Sequence, residues 1–271
     1  MLEAYATLAF IAGQTRRIRL GTMVTSVSYR HPGVLIKIVT SLDVLSGGRM
    51  ILGVGAGAPY NIPPDLSLEE ARTRGHEVAG LGIPFPSLAE RFERLEELLQ
   101  IAHQMWRGDE GPFEGRHYRL ARPLNSPNSL QRPHPPILIG GSGERKTLRL
   151  VAQYADACNL FDLPGTGFQD NLRQKLDVLR QHCRHVGRDY AEIEKTCASA
   201  FDLGEDRSEG LRRLVEHLDG LASVGIDHVL LTPPGPWDGS TLDAVASIVP
   251  EVHRIAAGPT TPSSWRSGPG S

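Results

Sequence analysis

Residues 17–57 read RIRLGTMVTSVSYRHPGVLIKIVTSLDVLSGGRMILGVGAG. The run Arg17–Thr25 is rich in apolar and β-branched residues and reads as a buried strand. Pro32 then stands where proline opens a helix, its missing N–H being one that the first turn leaves unpaired in any case. Val34, Leu35, Ile38, Val39, Leu42 and Leu45 recur at helical spacing, and Gly47-Gly48 supplies the stop. Arg49–Gly55 is a second buried strand, running into Gly55-Ala56-Gly57. A strand, a crossover helix and a second buried strand make a parallel βαβ unit, so this stretch sets the fold class as α/β.

Outward from it the alternation continues. Ala4–Gln14 reads as a helix in front of the first strand, and residues 58–86 as a long proline-bearing loop of the kind that is usually functional or disordered. Ser87-Leu88-Ala89-Glu90 is a capping box that starts a helix carrying Phe92, Leu95, Leu98, Leu99, Ala102, Met105 and Trp106 on one stripe. A small hairpin is expected over Phe113–Leu120, and a second proline-rich loop over residues 121–136. Strands are expected at Ile137–Gly143, Asp156–Phe161, Lys195–Leu203 and His228–Thr232. The helices between them are Glu144–Tyr154, one carrying Leu172, Leu176, Leu179, Cys183 and Val186, and one capped by Ser208. A last helix, capped at Ser240, carries Val245, Ile248, Val249 and Val252. The count is six strands, against the eight of a closed TIM barrel. Residues 1–257 therefore read as one barrel-type domain, and the Gly/Pro/Ser/Thr-rich residues 258–271 as a disordered tail.

Composition removes several function classes. The 271 residues carry a formal net charge of -2 with 22% charged residues, which excludes the basic excess of a nucleic-acid binder. No apolar stretch is long enough to span a membrane, and Met1-Leu2-Glu3-Ala4-Tyr5 does not start a signal peptide. Cys158, Cys183 and Cys197 are few, odd in number and widely spaced, as expected of reduced thiols in a cytoplasmic protein.

In parallel barrels ligands bind at the carboxyl ends of the strands. Three such ends stand out. Gly21–Ser26, leading to Tyr29-Arg30-His31-Pro32, offers small and hydroxyl residues that let a flat ring approach the backbone; an ordinary strand–helix turn reads the same way. Gly53-Val54-Gly55-Ala56-Gly57 lacks the third glycine and the following helix of a dinucleotide fingerprint, and fits a glycine-lined turn equally well. Gly140-Gly141-Ser142-Gly143 runs from a strand straight into a helix, where exposed amides suit a phosphate. His182 and His185 flank Cys183 but lack a second ligand cluster, so no metal site is expected. Glu93, Glu96 and Glu97 read as the solvated face of their helix.

Taken in order, these segments resemble the luciferase-like monooxygenase superfamily. The resemblance rests on Leu20–Thr25, Tyr29–Pro32, Leu42–Arg49, Leu52–Gly57, Glu90-Arg91-Phe92, Phe113–Tyr118 and Pro135–Gly141, and runs from about residue 1 to about 255. Within the superfamily it is to the coenzyme F420-dependent class. It implies a TIM barrel holding a deazaflavin or flavin, with a non-prolyl cis peptide at the strand end matching Met23-Val24. Met23, Val24 and Thr25 would stand behind the ring, Ala56 and Gly57 beside it, and Gly140, Gly141, Ser142 and Gly143 near the ribityl phosphate. The resemblance also places the start of this chain about two strands into the fold. The missing second strand usually ends in acidic and histidine residues near the reactive ring, so no catalytic residue is carried over. Ala58-Pro59 replaces bulkier or acidic residues, and Asn61–Gly82 is longer than usual.

The expected function is hydride transfer between coenzyme F420 and a small organic substrate, in a homodimer. The alternatives are an FMN-dependent monooxygenase, a non-catalytic scaffold subunit whose open sheet edges a partner covers, and a chain whose first strands are encoded upstream.

Overall fold

The computed structural model describes residues 2–57, 77–161 and 168–255. The expected loop over residues 58–76 and the tail from residue 258 lie outside the described residues. The chain divides into two compact units, one ending at Leu138 and the other starting at Ile139.

The first unit contains α1 (Ala4–Gln14), β1 (Leu20–Gly21), β2 (Thr25–Ser26), α2 (Pro32–Ser46), β3 (Met50–Gly55), α3 (Leu88–Trp106), and an antiparallel hairpin of β4 (Phe113–Glu114) and β5 (Arg119–Leu120). β6 (Ile137–Gly140) straddles the boundary. Arg17–Thr25 is not one strand. β1 pairs with β3 at Leu20↔Met50 and Gly21↔Ile51, and β2 resumes at Thr25↔Val54. Between Gly21 and Thr25 the chain thus takes one residue more than β3 takes between Ile51 and Val54, a local bulge that re-aims the strand. The bulge presses the Thr22 carbonyl onto Gly53, where a Cβ would stand 1.6 Å from it, and the Thr22 hydroxyl donates to Gly53 O at 2.7 Å. Only glycine fits at position 53.

α2 also departs from the expected stripe. Leu35, Ile36, Val39, Thr40, Leu42, Asp43 and Ser46 are buried, whereas Val34 and Leu45 are 56% and 76% exposed. Three of the buried positions are polar, and each has a partner. Thr40 accepts from Trp106 Nε1 at 3.0 Å, and Ser46 Oγ accepts from Arg49 N. The Asp43 carboxylate accepts from the amides of Leu130 (2.7 Å) and Gln131 (3.1 Å) and from Gln131 Nε2 (2.7 Å). The Arg49 guanidinium spends all five of its N–H donors on Ser46 O, Thr15 Oγ1, Ile18 O, Ala12 O and Thr15 O.

Ser87 caps α3 as expected, accepting from Glu90 N, and Leu95, Leu98, Leu99, Ala102, Met105 and Trp106 are buried; Phe92 is only half-buried. The expectation that the acidic run is merely solvated fails for Glu97. Its carboxylate accepts from the amides of Arg116 (2.8 Å), His117 and Tyr118 (3.0 Å), fastening the hairpin to α3. Glu93 joins it by accepting from His117 Nε2 and Arg116.

The second unit repeats the βα pattern: α4 (Thr147–Tyr154), β7 (Ala157–Phe161), α5 (Phe168–Val186), β8 (Glu194–Ala200), α6 (Arg207–Val224), β9 (His228–Thr232) and α7 (Gly239–Val252). β7, β8 and β9 are parallel, in the registers Asn159↔Thr196↔His228 and Phe161↔Ala198↔Leu230. One face therefore carries Ala157, Asn159, Glu194, Thr196, Ala198 and His228, and the other Cys158, Leu160, Lys195, Cys197 and Ser199. Lys195 and Asp227, both 6% exposed, pair at 2.9 Å and tie β8 to the start of β9. α4 starts at Thr147 rather than Glu144, because a turn through Glu144–Lys146 comes first. The caps of α6 and α7 are Asp206 and Asp238, not Ser208 and Ser240; an aspartate oxygen accepts the first-turn amides in each. Of the apolar stripe on α7 only Ile248 is fully buried, and Val249 is 41% exposed.

Asp43→Ala would strand two buried backbone amides, and Arg49→Met three or more carbonyls. Each substitution is expected to cost about 3 kcal/mol in urea unfolding, whereas Leu45→Ala on the exposed face should stay within about 0.5 kcal/mol.

Candidate functional site

In the first unit β2 and β3 are parallel and end side by side, so the register brings Met23, Val24 and Thr25 next to Val54–Gly57. The pairing continues past both strands, with Val27 N donating to Gly55 O at 3.0 Å. The Met23-Val24 peptide is cis. Met23 is 45% exposed, while Thr25, Ser26 and Ala56 are buried.

Gly57 closes this strand end with φ +79°, in the left-handed region that disfavours side chains. A Cβ there would stand 2.2 Å from Ser26 Oγ. The Ser26 side chain fills the space that a side chain at position 57 would need, so only glycine fits there. Arg91, 6% exposed in the first turn of α3, reaches back to this strand end. Its Nη1 donates to Ala56 O at 3.1 Å and also to Gly57 O, its Nε donates to Pro86 O at 3.1 Å, and its guanidinium carbon lies 4.0 Å from the centre of the Phe85 ring.

Arg30 braces the other strand. It lies 4.7 Å over the Tyr5 ring, pairs with Glu3, and donates to Thr25 Oγ1 at 3.4 Å, so α1 is fastened to β2. Burial pushes the Tyr5 hydroxyl up to about 12, partly offset by the Thr22 hydroxyl, so it stays protonated near neutral pH. His31 meets Tyr118 edge-on at 5.4 Å. Burial also raises Tyr118, against the opposing pull of Arg94.

In the second unit the glycine turn leaves β6 at Gly140. Gly141 has φ +121° and donates its amide to Asn159 O at 3.0 Å. A Cβ at Gly143 would stand 3.0 Å from Thr147 Oγ1, the first residue of α4. Leu148 N donates to Gly143 O. A turn of three residues thus intervenes in sequence between the glycines and the helix, while Thr147 and Leu148 still lie against Gly143. A cation is near: Lys175 pairs with Glu144 at 2.7 Å. His182 Nε2 donates to the Glu144 carbonyl at 2.8 Å, a structural role in place of a metal-ligand one. Asn159 is fully buried and accepts from the Thr196 hydroxyl at 2.8 Å. At the amino ends of β8 and β9 the buried Glu194 carboxylate lies 3.2 Å from His228 Nδ1.

Among the described residues no group of three His, Cys, Asp or Glu could hold a metal, and no helix is long and apolar enough to cross a membrane. The three cysteines form no disulfide and are buried, and burial raises the Cys158 thiol to about 12.

Met23, Val24, Thr25, Ala56 and Gly57 thus stand together in the first unit, and Gly140, Gly141, Ser142 and Gly143 form one turn in the second. Ser26 and Arg30 lie in the strand end that the sequence singled out, with no role of their own read for either, and Arg91 was not read as belonging to that end. Arg91 lay inside the recognised run Glu90-Arg91-Phe92, but nothing in that run says that a first-turn arginine folds back onto a strand end.

The geometry agrees with the relatives. The family model for luciferase-like monooxygenases matches residues 1–257, and the chain belongs to that family. With membership goes the fold class, a parallel α/β sheet of the TIM-barrel type. The chain is 30% identical over 211 residues to an F420-dependent glucose-6-phosphate dehydrogenase of Nakamurella multipartita, covering 76% of this chain and 55% of that one. It is 30% identical over 221 residues to a 4-hydroxyprotoasukamycin monooxygenase of Streptomyces nodosus subsp. asukaensis, covering 77% and 52%. It therefore spans about half the length of these curated relatives. Among solved structures, an F420-dependent secondary alcohol dehydrogenase in complex with an F420–acetone adduct superimposes with a TM-score of 0.75 at 16% identity, over 92% of this chain and 84% of that one.

Gly57→Ala is expected to lower stability by about 1–3 kcal/mol through its φ and the Ser26 clash. Pairing it with Ser26→Gly should recover the steric part. Thermal unfolding of the two single variants and the double variant measures the coupling, and strict additivity would mean that the two residues do not meet.

Proposed function

We propose that this chain forms the cofactor-binding part of an oxidoreductase that uses coenzyme F420 to move a hydride to or from a small organic substrate. The observation that carries the reading is the joint strand end of β2 and β3, where the register sets Met23–Thr25 beside Val54–Gly57 and the chain turns at Gly57 with φ +79°. Such a surface fits the flat face of a deazaflavin. Met23, Val24, Thr25, Ala56 and Gly57 would hold the ring. Gly140, Gly141, Ser142 and Gly143 would hold the phosphate, with Lys175 supplying positive charge beyond Glu144. When bound, the cofactor supplies the hydride chemistry. The residues of this chain bind and orient it. The names of the relatives add weight to F420 in particular.

Titration of the purified protein with F420 and with FMN, followed by fluorescence quenching, tests the reading. F420 should bind at least about tenfold tighter, a difference of ~1.4 kcal/mol. Preferential FMN binding would move the assignment to a flavin monooxygenase, and binding of neither would favour a scaffold subunit.

We also infer a homodimer in the cytoplasm. The outer face of α2 carries Val34, Ile38, Ser41 and Leu45 at helical spacing, with Val34 and Leu45 exposed, and Leu124 and Leu130 in the adjoining loop are 49% and 53% exposed. Exposed apolar residues collected on one side favour a protein contact. Val34→Glu with Leu45→Glu should shift the mass measured by light scattering from dimer to monomer, with the unfolding temperature extrapolated to low protein concentration unchanged. A monomeric wild-type chain would refute the dimer.

A further inference from the structure

We infer that Arg91 is a positioning residue for the cofactor, acting through the backbone at Ala56-Gly57; the inference rests on the F420 reading above.

Three observations converge. First, the guanidinium is nearly enclosed and donates to the carbonyl of the Ala56–Gly57 peptide and to the next carbonyl, Gly57 O, as well as to Pro86 O. It thereby joins the end of β3 to the start of α3 and fixes the plane of that peptide. Second, Gly57 is wedged. A Cβ built on it would lie 2.2 Å from Ser26 Oγ on one side and 3.5 Å from Arg91 Nη1 on the other. Ser26 Oγ is itself occupied by Ser28 N at 3.2 Å, so the Ser26 side cannot adapt freely. Third, the placement is a poor one for the helix. A cation in the first turn opposes the helix dipole, and taking it out of water adds a desolvation cost. The carbonyls of the strand end and the Phe85 ring compensate locally. The group is therefore spent on the geometry of the strand end.

The chemistry follows from the donors. Two charge-assisted bonds to adjacent carbonyls lock the peptide and polarise it, so the amides beyond it become stronger donors toward a ligand. Lysine cannot reproduce this. Its single nitrogen in place of Nη1 would leave Pro86 O without the Nε donor and the Phe85 ring without the planar cation, so the group would no longer be held in one orientation.

The test compares wild type, Arg91→Lys and Arg91→Met, with Arg49→Lys as a buried arginine far from the strand end in its contacts. F420 affinity is read by fluorescence quenching, fold by thermal unfolding, and the turn by hydrogen exchange of the peptide containing Ala56 and Gly57. Arg91→Lys and Arg91→Met are expected to bind F420 about tenfold or more weaker than wild type. Both should exchange faster at Ala56-Gly57 while the amides of β3 from Met50 to Val54 stay protected. Millimolar methylguanidinium should restore part of the affinity of Arg91→Met. Arg49→Lys should lose thermal stability without changing the affinity of the folded protein. Unchanged affinity in Arg91→Lys and Arg91→Met, or unchanged exchange at Ala56-Gly57, would overturn the inference. Should Arg91→Met fail to fold, Arg91→Lys decides alone. If wild type binds neither F420 nor FMN, the cofactor reading fails, and the exchange data still decide whether Arg91 holds the turn.

Discussion

Two buried charges of opposite sign, Asp43 and Arg49, anchor the first unit, and both are neutralised by main chain. Asp43 collects the amides of Leu130 and Gln131, and Arg49 collects carbonyls from Ala12, Thr15, Ile18 and Ser46. An ion taken out of water is tolerated only when its hydrogen-bonding capacity is filled. Here that requirement dictates where α1, the loop at residues 129–131 and the α2–β3 turn must lie. The arginine gathers the segment in front of β1, and the aspartate gathers the segment in front of β6. The positions of the ligand-facing strands follow, because each strand is fed in from an end that one of these charges holds. The run Leu42–Arg49, which sequence marks as a family signature, is thus a structural device at the amino ends of the strands, remote in kind from ligand chemistry.

The carboxyl ends use the same physics for another purpose. Arg91 and Arg30 also serve as multi-point donors, but they brace the carboxyl ends of β2 and β3 rather than the segments that lead into the strands. Glu97 does the corresponding work for the hairpin, accepting three consecutive amides that no strand partner could take at a turn. A Cβ at Gly115 would stand 2.3 Å from Glu97 Oε2, so glycine at the hairpin tip is what lets the carboxylate in. Charged side chains bonded to main chain, rather than apolar packing alone, thus set the irregular parts of the first unit.

That division explains what could be read from the sequence. The strand–helix alternation was legible because burial imposes periodicity: β3, α3, β7, β8 and β9 all lie where the apolar pattern placed them. The glycine turns at the strand ends were legible as turns, because Gly57 and Gly141 take the positive φ that glycine allows. The failures share one cause. Val34 and Leu45 were assigned inward by hydrophobicity, but Thr40, Asp43 and Ser46 claimed the interior through hydrogen bonds whose partners lie far away in sequence. Glu97 was read as solvated and Arg91 was unmarked for the same reason. The caps at Asp206 and Asp238 were missed by two residues because a nearby serine satisfies the same rule. The break in Arg17–Thr25 was invisible because it is a matter of register against β3, not of composition.

The sheet of the second unit shows how such a scaffold separates stability from function. On one face Cys158, Cys197, Leu160 and the enclosed Lys195–Asp227 pair lie under the helices, and burial holds the Cys158 thiol protonated and inert. On the other face Ala157, Asn159, Thr196 and Ala198 are small or polar, beside the larger apolar Phe161 and Leu230. Asn159 belongs to both requirements. Its side chain accepts from Thr196 on the polar face, while its carbonyl takes the Gly141 amide and so fixes the first residue of the glycine turn. The turn is therefore held at both ends, by the strand through Asn159 O on Gly141 N and by the start of α4 through Leu148 N on Gly143 O. A ligand approaching that turn would meet backbone whose conformation is decided before it arrives, so little ordering remains to be done on binding. The same is true at Gly57, where Ser26 and Arg91 leave the chain one path. Each candidate surface, within its own unit, is thus preorganised main chain.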